Sequence, residues 1–406
     1  MDIASHSPSG TWPAVEYETL TWEMPVEAGY GLADLRAAQR QSGEYRAAIP
    51  ADIADLAVTL PSEVIVDAEE ASHEIARFDA ELGDEIAPFS SVLLRTESAA
   101  SSNIENLTAS ARAIAEAELG DSSRRNATMI VANTDAMKAA IELADRIDGD
   151  AILSVHATLM RASKPGIAGM WRTEQVWTGG GDFGPRGADF VPPRHELVAP
   201  AIDDLIRFTK RADIPALPQI AIAHAQFETI HPFPDGNGRT GRALIQAMLR
   251  NKRLTRQVTV PVSAGLLTDT DSYFDALTSY REGDPAQMVE RLSAASVLAV
   301  ANGRHLISDL RSIRAGWESK ITARRDSAVH RVADLLLKRP VINARLLQGE
   351  LGISTGNARR YVDPLTDAGI IAEFTDRTRN RAWRAPEVLG ALDAFAERAG
   401  RRGLSP

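Results

Sequence analysis

The chain has 406 residues, of which 44% are hydrophobic and 25% charged, values typical of a soluble globular protein with a sizeable core. It contains no cysteine, which excludes disulfides and thiolate metal sites. No run of about 18 apolar residues is present, so no membrane-spanning helix is predicted. Met1–Pro13 lack a basic region followed by an apolar run, so we expect no signal peptide, no membrane contact and a cytoplasmic location.

The formal net charge of −10 is unevenly distributed. Residues 320–406 contain 16 Lys and Arg against 10 Asp and Glu, a balance of +6, and the remainder contains 29 against 45, a balance of −16. A basic C-terminal part on an acidic body indicates a surface that could meet nucleic acid. An ordinary arginine-rich, solvated surface is the competing interpretation.

The spacing of apolar residues predicts a mainly α-helical chain. Residues 1–60 are punctuated by proline and glycine, so we expect a partly irregular N-terminal segment with a short helix at Leu32–Arg46. Helices dominate from Pro61 onward. The predicted ones are Pro61–Leu82, Phe89–Asn106, Ala109–Leu119, Asn126–Arg146, Ala151–Met160, His195–Lys210, Pro218–Ile230, Arg239–Arg250, Ser272–Ser279 and Pro285–Arg311.

Ser163–Pro193 interrupt this helical pattern. The segment is rich in glycine and proline, and Met170–Trp177 inside it has an extended character. We interpret it as a β-hairpin or flap.

Residues beyond about 320 predict a winged helix-turn-helix unit. Helices are expected at Ser327–Lys338, Ala344–Leu351 and Thr355–Ala368, with a tight glycine turn before the third. Gly369–Phe374 and Arg381–Arg384 would pair as strands, with Asp376–Asn380 as the wing, although Pro364 interrupts the third helix. The predicted parts are residues 1–60, a helical extension at 61–160, a catalytic core at 161–315 and the winged-helix-like unit at 320–406.

The segment His231-Pro232-Phe233-Pro234-Asp235-Gly236-Asn237-Gly238-Arg239-Thr240-Gly241-Arg242 concentrates groups that suit chemistry at a phosphate. A histidine with a pKa of about 6.5 can accept a proton from an attacking hydroxyl. Asp235 is an oxygen ligand of the kind that Mg²⁺ favours. By themselves His231 would be read as a cap and Asp235 as a turn residue, but their neighbours favour a site.

The second half of this segment predicts an anion-binding cradle. Gly236-Asn237-Gly238 permits positive φ, so backbone N–H groups can converge on an anion. The helix that follows points its N-terminus at the same place. Arg239 and Arg242 lie three residues apart on one face of that helix, and their planar guanidinium groups suit phosphate oxygens. The lysine of a Walker loop is missing.

His231–Arg242 matches the pattern HxFx[D/E]GNGRxxR at every fixed position, and in this the chain resembles the Fic family. Gly169–Arg172 and Val176–Gly180 look like the family's flap, and Phe190–Pro193 resemble the segment after it. In all, residues 60–300 resemble a Fic protein with an N-terminal helical extension.

The resemblance implies that the chain transfers AMP from ATP, with Mg²⁺, to a hydroxyl of a protein, itself included. It implies that His231 is the base and that Asp235 holds Mg²⁺. The roles implied for the remaining residues are an anion hole at Gly236, Asn237 and Gly238, phosphate binding by Arg239 and Arg242, an aromatic contact near the nucleotide base from Tyr273, and docking of the target by Arg172, Val176 and Trp177 of the flap. Tyr273 could equally be a core residue.

Ser101-Ser102-Asn103-Ile104-Glu105-Asn106 matches [S/T]xxxE[G/N], the family's inhibitory motif. The resemblance implies that Ser101, Glu105 and Asn106 belong to an inhibitory helix. A glutamate paired with Arg242 would occupy the space of the γ-phosphate and neutralise its cation. The same glutamate could orient water for removal of AMP. A plain helix-surface carboxylate is the alternative.

Other functions stay open at this point. A DNA-binding regulator would use the C-terminal unit, with phosphate contacts from Arg359, Arg360, Arg377, Arg379 and Arg381. The tail unit would alternatively bind the target protein. The same scaffold could also transfer UMP or a phosphocholine group. Family relatives often dimerise, so a homodimer is a further expectation.

Overall fold

A computed structural model describes residues 12–23, 31–82, 86–181, 183–374 and 381–400. The fold is mainly α-helical, as predicted. The helices are α1 Leu32–Gln41, α2 Ser62–Glu81, α3 Ile86–Ile104, α4 Ala111–Glu118, α5 Arg125–Glu142, α6 Gly149–Met160, α7 Val198–Thr209, α8 Ala216–Ile230, α9 Asn237–Asn251, α10 Val262–Leu267, α11 Thr270–Arg281, α12 Ala286–Lys320, α13 Ala328–Lys338, α14 Ala344–Leu351, α15 Ala358–Asp367 and α16 Pro386–Arg398. Among these described helices, none combines the length and apolar character needed to cross a bilayer.

Helix α8 lies at the centre of the bundle. Every residue from Leu217 to Ile230 is buried, because α2, α7, α9, α11 and α12 pack around it. Its buried polar side chains have partners inside the bundle, since His224 lies 2.8 Å from the Tyr273 hydroxyl and Gln226 donates to the Ala51 carbonyl at 2.9 Å. The next helix, α9, is buried from Arg239 to Leu249. The loop that joins them, residues 231–236, is therefore fixed at both ends by the most buried part of the molecule.

The N-terminal segment is more regular than we expected from its composition. Strands β1 (Glu16–Trp22) and β2 (Gly43–Ile49) form an antiparallel pair, with Glu16 opposite Ile49 and Trp22 opposite Gly43. Helix α1 connects them and ends at Gln41, short of the predicted end at Arg46. Gly43, with a φ of 118°, starts the strand immediately after the helix.

Residues 163–193 contain two isolated antiparallel bridges, Thr178 to Phe190 and Gly181 to Gly184, and the described part has no continuous strand. The expected β-hairpin is therefore a loop that carries two isolated β-bridges in its described part. Gly179 and Gly180 both adopt a positive φ, 71° and 72°, which turns the chain without a regular ladder.

The C-terminal part has the predicted order of helices and strands. Gly352 has a φ of 68° and ends α14, and a short 3₁₀ turn leads into α15, which runs through Pro364. Strands β3 (Val341–Asn343), β4 (Ala372–Glu373) and β5 (Ala382–Arg384) form a sheet in the order β3-β5-β4. The predicted wing, Asp376–Asn380, lies outside the described residues.

Two elements of this part were not predicted: β3 and α16. Helix α16 begins at Pro386, and proline in the first turn is a recognised start signal that the sequence offered. Helix α12 also continues to Lys320, beyond the predicted end at Arg311. Its last buried residue, Trp317, donates to Glu387 of α16, so the long helix joins the central bundle to the C-terminal unit.

Candidate active site

The loop after α8 is built around an inward-pointing aromatic ring. Phe233 is fully buried and stacks on His156 of α6 at 3.7 Å and on Trp171 at 5.0 Å between ring centroids. Asn237 closes the loop, because its side chain accepts from the Phe233 N–H and donates to the Phe233 carbonyl, both at 2.8 Å. The side chain of Asn237 thus shapes the loop, and only its backbone N–H is available to an anion.

His156 holds the other side of the loop and was not singled out in the sequence. The Gly169 N–H donates to its Nδ1 at 3.1 Å, so Nε2 carries the proton and donates to the Asp235 carbonyl at 3.0 Å. Burial lowers the pKa of His156 to about 4, which keeps the ring neutral and this tautomer in place. Its only sequence signal was a histidine on the apolar face of a predicted helix, which usually indicates a core residue.

His231 ends α8 in the left-handed conformation, with φ 50° and ψ 62°. Its N–H donates to the Phe227 carbonyl at 2.9 Å, which directs the ring away from the helix. Burial, followed by the nearby cations Arg172 and Arg281, lowers the pKa of His231 to about 4. The ring is therefore neutral at pH 7, as a general base requires, and the Glu228 carbonyl hydrogen-bonds it.

Arg172 fastens the flap segment to this histidine. It is buried and donates through Nε to the His231 carbonyl at 2.9 Å, through Nη1 to the Glu174 carbonyl at 3.1 Å and through Nη2 to the Pro193 carbonyl. Its own N–H donates to the Pro232 carbonyl at 3.0 Å. The predicted flap residue is thus a fixed clamp between the two ends of the flap and the loop, with no face left for a docking peptide.

Asp235 lies at the rim of the loop, where Lys164 forms an ion pair with it at 2.6 Å. Burial raises the pKa of Asp235, but Lys164 and Arg239 outweigh it and the net shift is downward, so the carboxylate is ionised. Arg239 approaches it at 3.5 Å. Lys164 was missed in the sequence because it lies 71 positions upstream, in the glycine-rich segment.

The described residues contain no group of three or more His, Cys, Asp or Glu side chains able to hold a metal ion. An ionised carboxylate at a half-open rim nevertheless suits Mg²⁺, which is commonly held by one or two carboxylates together with substrate phosphates and waters. Asp235 therefore fits such an ion only jointly with a phosphate ligand, and Lys164 competes for the same oxygens.

Donor groups at the N-terminus of α9 lack partners among the described residues. The Nε of Arg239 and the Oγ1 of Thr240 are buried and make no hydrogen bond. Gly236 has a φ of 83°, and a Cβ there would lie 3.1 Å from Leu159 and Met160 side-chain atoms. Buried donors without partners are costly. Thr240 lines a separate apolar cavity between α5, α6 and α9, so the Arg239 guanidinium is the donor that an anion at this helix N-terminus would satisfy.

Arg242 is fully buried and faces α3. Its Nε donates to Ser101 Oγ at 2.9 Å, and its Nη2 donates to the Ser101 carbonyl at 2.8 Å and to Glu105 Oε1 at 2.7 Å. Burial would lower the pKa of Arg242, but Glu105, Tyr273 and Glu228 outweigh it and raise that pKa. The structure thus brings Ser101, Glu105 and Arg242 together; the resemblance implied the pairing of Glu105 with Arg242 but not the contact of Ser101.

Glu105 also occupies the floor of the anion cradle. A Cβ added to Gly238 would lie 2.0 Å from Glu105 Oε1 and 2.9 Å from Arg242 Nη1. The carboxylate therefore sits against the backbone at Gly238. Asn106 follows with a φ of 59° and an exposed side chain, so it ends the helical segment.

Tyr273 does not face an open site. It is 1% exposed, and its hydroxyl lies 2.8 Å from His224 Nε2. It belongs to a buried cluster with Glu228, whose pKa burial raises to about 7. The expectation of a nucleotide contact at Tyr273 is therefore not supported, because the ring packs in the core behind Arg242.

The remaining flap residues contact the antiparallel pair of strands β1 and β2. Trp177 donates to the Gly181 carbonyl at 2.8 Å, and its ring lies edge-on to Trp22 at 5.3 Å. The Ala48 N–H donates to the Val191 carbonyl at 3.0 Å. Val176 is half-buried. Strands β1 and β2 thus support the flap from outside, a contact that the sequence analysis did not predict.

The sequence pattern of the Fic/DOC family matches residues 146–249, which include the whole of His231–Arg242. The chain contains a Fic/DOC domain. A solved structure of a Fic family protein from Desulfovibrio desulfuricans G20 superposes with a TM-score of 0.52 at 22% identity, covering 81% of this chain and 97% of that chain. This likeness confirms the predicted Fic-type helical fold.

Two curated relatives are similar to part of this chain. A probable protein adenylyltransferase of Aquifex aeolicus (strain VF5) is 33% identical over 137 residues, which are 30% of this chain and 39% of that protein. Protein adenylyltransferase fic-1 of Caenorhabditis elegans is 33% identical over 105 residues, 26% of this chain and 20% of that protein. The match thus spans 39% and 20% of these relatives' lengths. Helix α3 and Glu105, which follows its end, lie outside the matched family segment.

Proposed function

We propose that the chain is a protein adenylyltransferase, which transfers AMP from ATP to a hydroxyl side chain of a protein, itself included. The observation that carries the proposal is the arrangement at the start of α9, where the unpartnered Arg239 Nε and the buried Arg242 flank the Gly238 backbone close to a neutral His231. Positioning and charge neutralisation are the main requirements of transfer at phosphorus. The names of the two curated relatives support the same activity.

The chemistry follows from the residues. An acceptor hydroxyl gives its proton to His231 while its oxygen bonds to the α-phosphorus of ATP, and the bond from that phosphorus to the bridging oxygen breaks as pyrophosphate leaves. Backbone N–H groups at residues 236–238 and the guanidinium of Arg239 stabilise the developing charge. A Mg²⁺ ion held by Asp235 would neutralise phosphate charge at this rim.

Glu105 is proposed to hold the enzyme inactive. Its carboxylate lies against Gly238 and pairs with Arg242, so it takes both the space and the cation that a γ-phosphate would use. ATP would then bind weakly or with its α-phosphate displaced. The same carboxylate, moved away from Arg242, is placed to orient water for removal of AMP from a modified protein.

The target is proposed to dock beside the flap. Arg172 and strand β2 hold the flap in place, so we expect the flap backbone near His231 to pair with an extended peptide. A homodimer remains a prediction from the family resemblance.

The test uses the purified full chain, ATP and Mg²⁺, with intact-mass measurement of added AMP. We expect AMP on Glu105→Gly and none on the double variant that also carries His231→Ala. If Glu105→Gly, folded as judged by its thermal transition, gains no AMP on itself and labels no protein of a cell lysate, the proposed activity is wrong. Labelling with UTP but not with ATP would instead indicate transfer of UMP.

An observation in the C-terminal unit favours a second candidate function, DNA binding. Helix α15 buries Ala358, Val362 and Leu365 and exposes Arg359 and Arg360, as a recognition helix would. Arg381 is engaged by Glu373, and Arg377 and Arg379 lie outside the described residues. A gel shift with random DNA fragments, titrated with salt, tests it. If the double variant Arg359→Ala, Arg360→Ala binds DNA as tightly as the wild type, α15 is not the recognition helix. Binding of the target protein in place of DNA is the competing outcome.

A further inference from the structure

The guanidinium of Arg242 is held from two sides. On one side, the Ser101 hydroxyl, the Ser101 carbonyl and the Glu105 carboxylate accept hydrogen bonds from it. On the other side lies Tyr273 of α11, whose hydroxyl accepts a hydrogen bond from the same guanidinium. Tyr273 and Arg242 are each 1% exposed, so water has little access to this contact. The proposed mechanism uses the first side and leaves Tyr273 without a role.

The hydrogen bond between Arg242 and Tyr273 has a fixed direction. A guanidinium only donates, so the phenol oxygen accepts from Arg242 and directs its own proton to another partner. That partner is His224 of α8, whose Nε2 lies 2.8 Å from the Tyr273 oxygen. Burial, followed by the charge of Arg242, lowers the pKa of His224 to about 3, so the ring is neutral and its Nε2 can accept. The three side chains therefore form one chain of hydrogen bonds that runs from Arg242 to His224.

The far end of this chain lies in the most closely packed part of the molecule. His224 is 1% exposed, and its ring lies parallel to that of Tyr273, with 6.0 Å between the centroids. A Cβ added to Gly241 of α9 would lie 3.2 Å from Cε1 of His224, so α8 and α9 are in close contact beside Arg242. Tightly packed side chains keep one arrangement. The Tyr273 hydroxyl is therefore a fixed acceptor for the guanidinium.

A fixed acceptor matters most when Glu105 moves away from Arg242. Arginine has a long side chain with many rotamers, and ordering it during binding lowers the affinity for the group that it contacts. Ser101 belongs to α3, and Glu105 follows the end of that helix, whereas Tyr273 belongs to α11. Tyr273 can therefore hold Arg242 in place even when the α3 side is released.

We propose that Tyr273 is a positioning residue, which holds Arg242 where a γ-phosphate contacts it and so sets the preference of the site for a nucleoside triphosphate over a diphosphate. The inference rests on the proposed function, in which Arg242 is free for the γ-phosphate once Glu105 has moved away. Because ADP has no γ-phosphate, loss of the Tyr273 hydroxyl should weaken the binding of ATP alone. A merely structural role would weaken the binding of both nucleotides.

The binding test uses the full chain with Glu105→Gly and His231→Ala as the parent, in which the inhibitory contact is absent and AMP transfer is blocked. Calorimetry with Mg²⁺ should show that this parent binds ATP more tightly than ADP. Tyr273→Phe should weaken ATP binding about three- to tenfold and change ADP binding by less than about twofold. Tyr280→Phe is the matched control, because it loses a buried 2.8 Å hydrogen bond to Gln226 between the same two helices, and it should leave the ATP to ADP ratio unchanged.

A kinetic readout separates positioning from catalysis. In Glu105→Gly, the further change Tyr273→Phe should raise the KM for ATP about three- to tenfold and leave kcat within about twofold, because the proposed base, His231, acts at the α-phosphate. A second variant, His224→Leu, removes the acceptor that orients the Tyr273 hydroxyl. It should lower the preference for ATP over ADP at least about twofold.

The positioning role is refuted if Tyr273→Phe weakens ATP and ADP binding equally or leaves the ATP to ADP ratio unchanged. If Tyr273→Phe fails to fold, as judged by its thermal transition, an unchanged ratio in His224→Leu refutes it. A parent that binds ATP no more tightly than ADP also refutes it, since Arg242 then makes no contact with a γ-phosphate. Absence of both nucleotide binding by the parent and AMP transfer by Glu105→Gly refutes the proposed function instead.

Discussion

Removal of the Glu105 carboxylate should raise AMP transfer by one to two orders of magnitude. The contact that is lost is a 2.7 Å charge-assisted hydrogen bond from Arg242, whose side chain is 1% exposed, to Glu105, whose side chain is 40% exposed. Such bonds contribute about 1.5–3 kcal/mol. Because Glu105 is partly solvated, the lower figure of about 1.5 kcal/mol applies, which corresponds to roughly tenfold.

A steric contribution adds to this figure. The Glu105 oxygen lies 2.0 Å from the position of a Cβ on Gly238, so no phosphate oxygen can lie against that backbone while the carboxylate is in place. Glu105→Gly removes both effects, and we expect a gain of about 10- to 100-fold. Glu105→Gln keeps a neutral hydrogen bond worth about 0.5–1.5 kcal/mol and a similar bulk, so its gain should be smaller, about threefold.

The assay is the initial rate of incorporation of labelled AMP into the chain itself, at an ATP concentration below saturation. Glu142→Gln, an exposed carboxylate at the end of α5, is the control and should stay within about twofold of the wild type. Equal rates for Glu105→Gly and the wild type, with unchanged thermal transitions, would refute the inhibitory role.

Four further outcomes are expected. His231→Ala should abolish AMP transfer by Glu105→Gly and leave ATP binding, measured by calorimetry, within about threefold; undiminished transfer would exclude His231 as the base. Because burial lowers the pKa of His231 to about 4, kcat/KM should fall only when the pH drops through about 4 and the base becomes protonated. A fall of kcat/KM centred at pH about 6.5, the ordinary pKa of histidine, would contradict this. Lys164→Ala frees Asp235 from a half-exposed ion pair worth about 0.2–1 kcal/mol, so the half-saturating Mg²⁺ concentration should fall by about 1.5- to 5-fold; a rise would show that Lys164 assists the ion. Wild-type chain should release AMP from a modified protein faster than Glu105→Gly does, and equal release would exclude Glu105 from that reaction.

The motif residues could be anticipated because their chemistry is local in the sequence. His231, Asp235 and Arg239 lie within one turn-and-helix unit, and the helical periodicity on both sides fixes where that unit begins and ends. The pairing of Glu105 with Arg242 spans 137 positions and was reached only through the family resemblance. Periodicity alone placed Glu105 on a helix without saying what that helix faces.

The supporting residues could not be found in this way, since their roles exist only after the chain has folded. His156 reaches the loop across 79 positions, and Lys164 reaches Asp235 across 71. In the sequence, each is an ordinary residue of its type. Strands β1 and β2 were not predicted for another reason. Their hydrophobic alternation is weak, since only β2 has several buried side chains.

The C-terminal unit shows the opposite case. Its helix-turn-helix order was read correctly from Gly352 and the flanking apolar periods, and the proline at 364 did not end the helix. Its placement against α3 was not foreseen, because Arg95, Glu118 and Arg339 carry no local pattern that indicates a shared cluster.

The backbone of His231 has a consequence for the evolution and engineering of this protein. Residues with a side chain pay about 1–2 kcal/mol for the left-handed conformation, and glycine is the residue most often found at such a helix end. A sequence chosen for thermal stability alone would therefore replace His231 with glycine and melt at a higher temperature. With His231 as the proposed base, the loop exchanges stability for reactivity, and stability-based redesign of this chain is expected to favour inactive variants there.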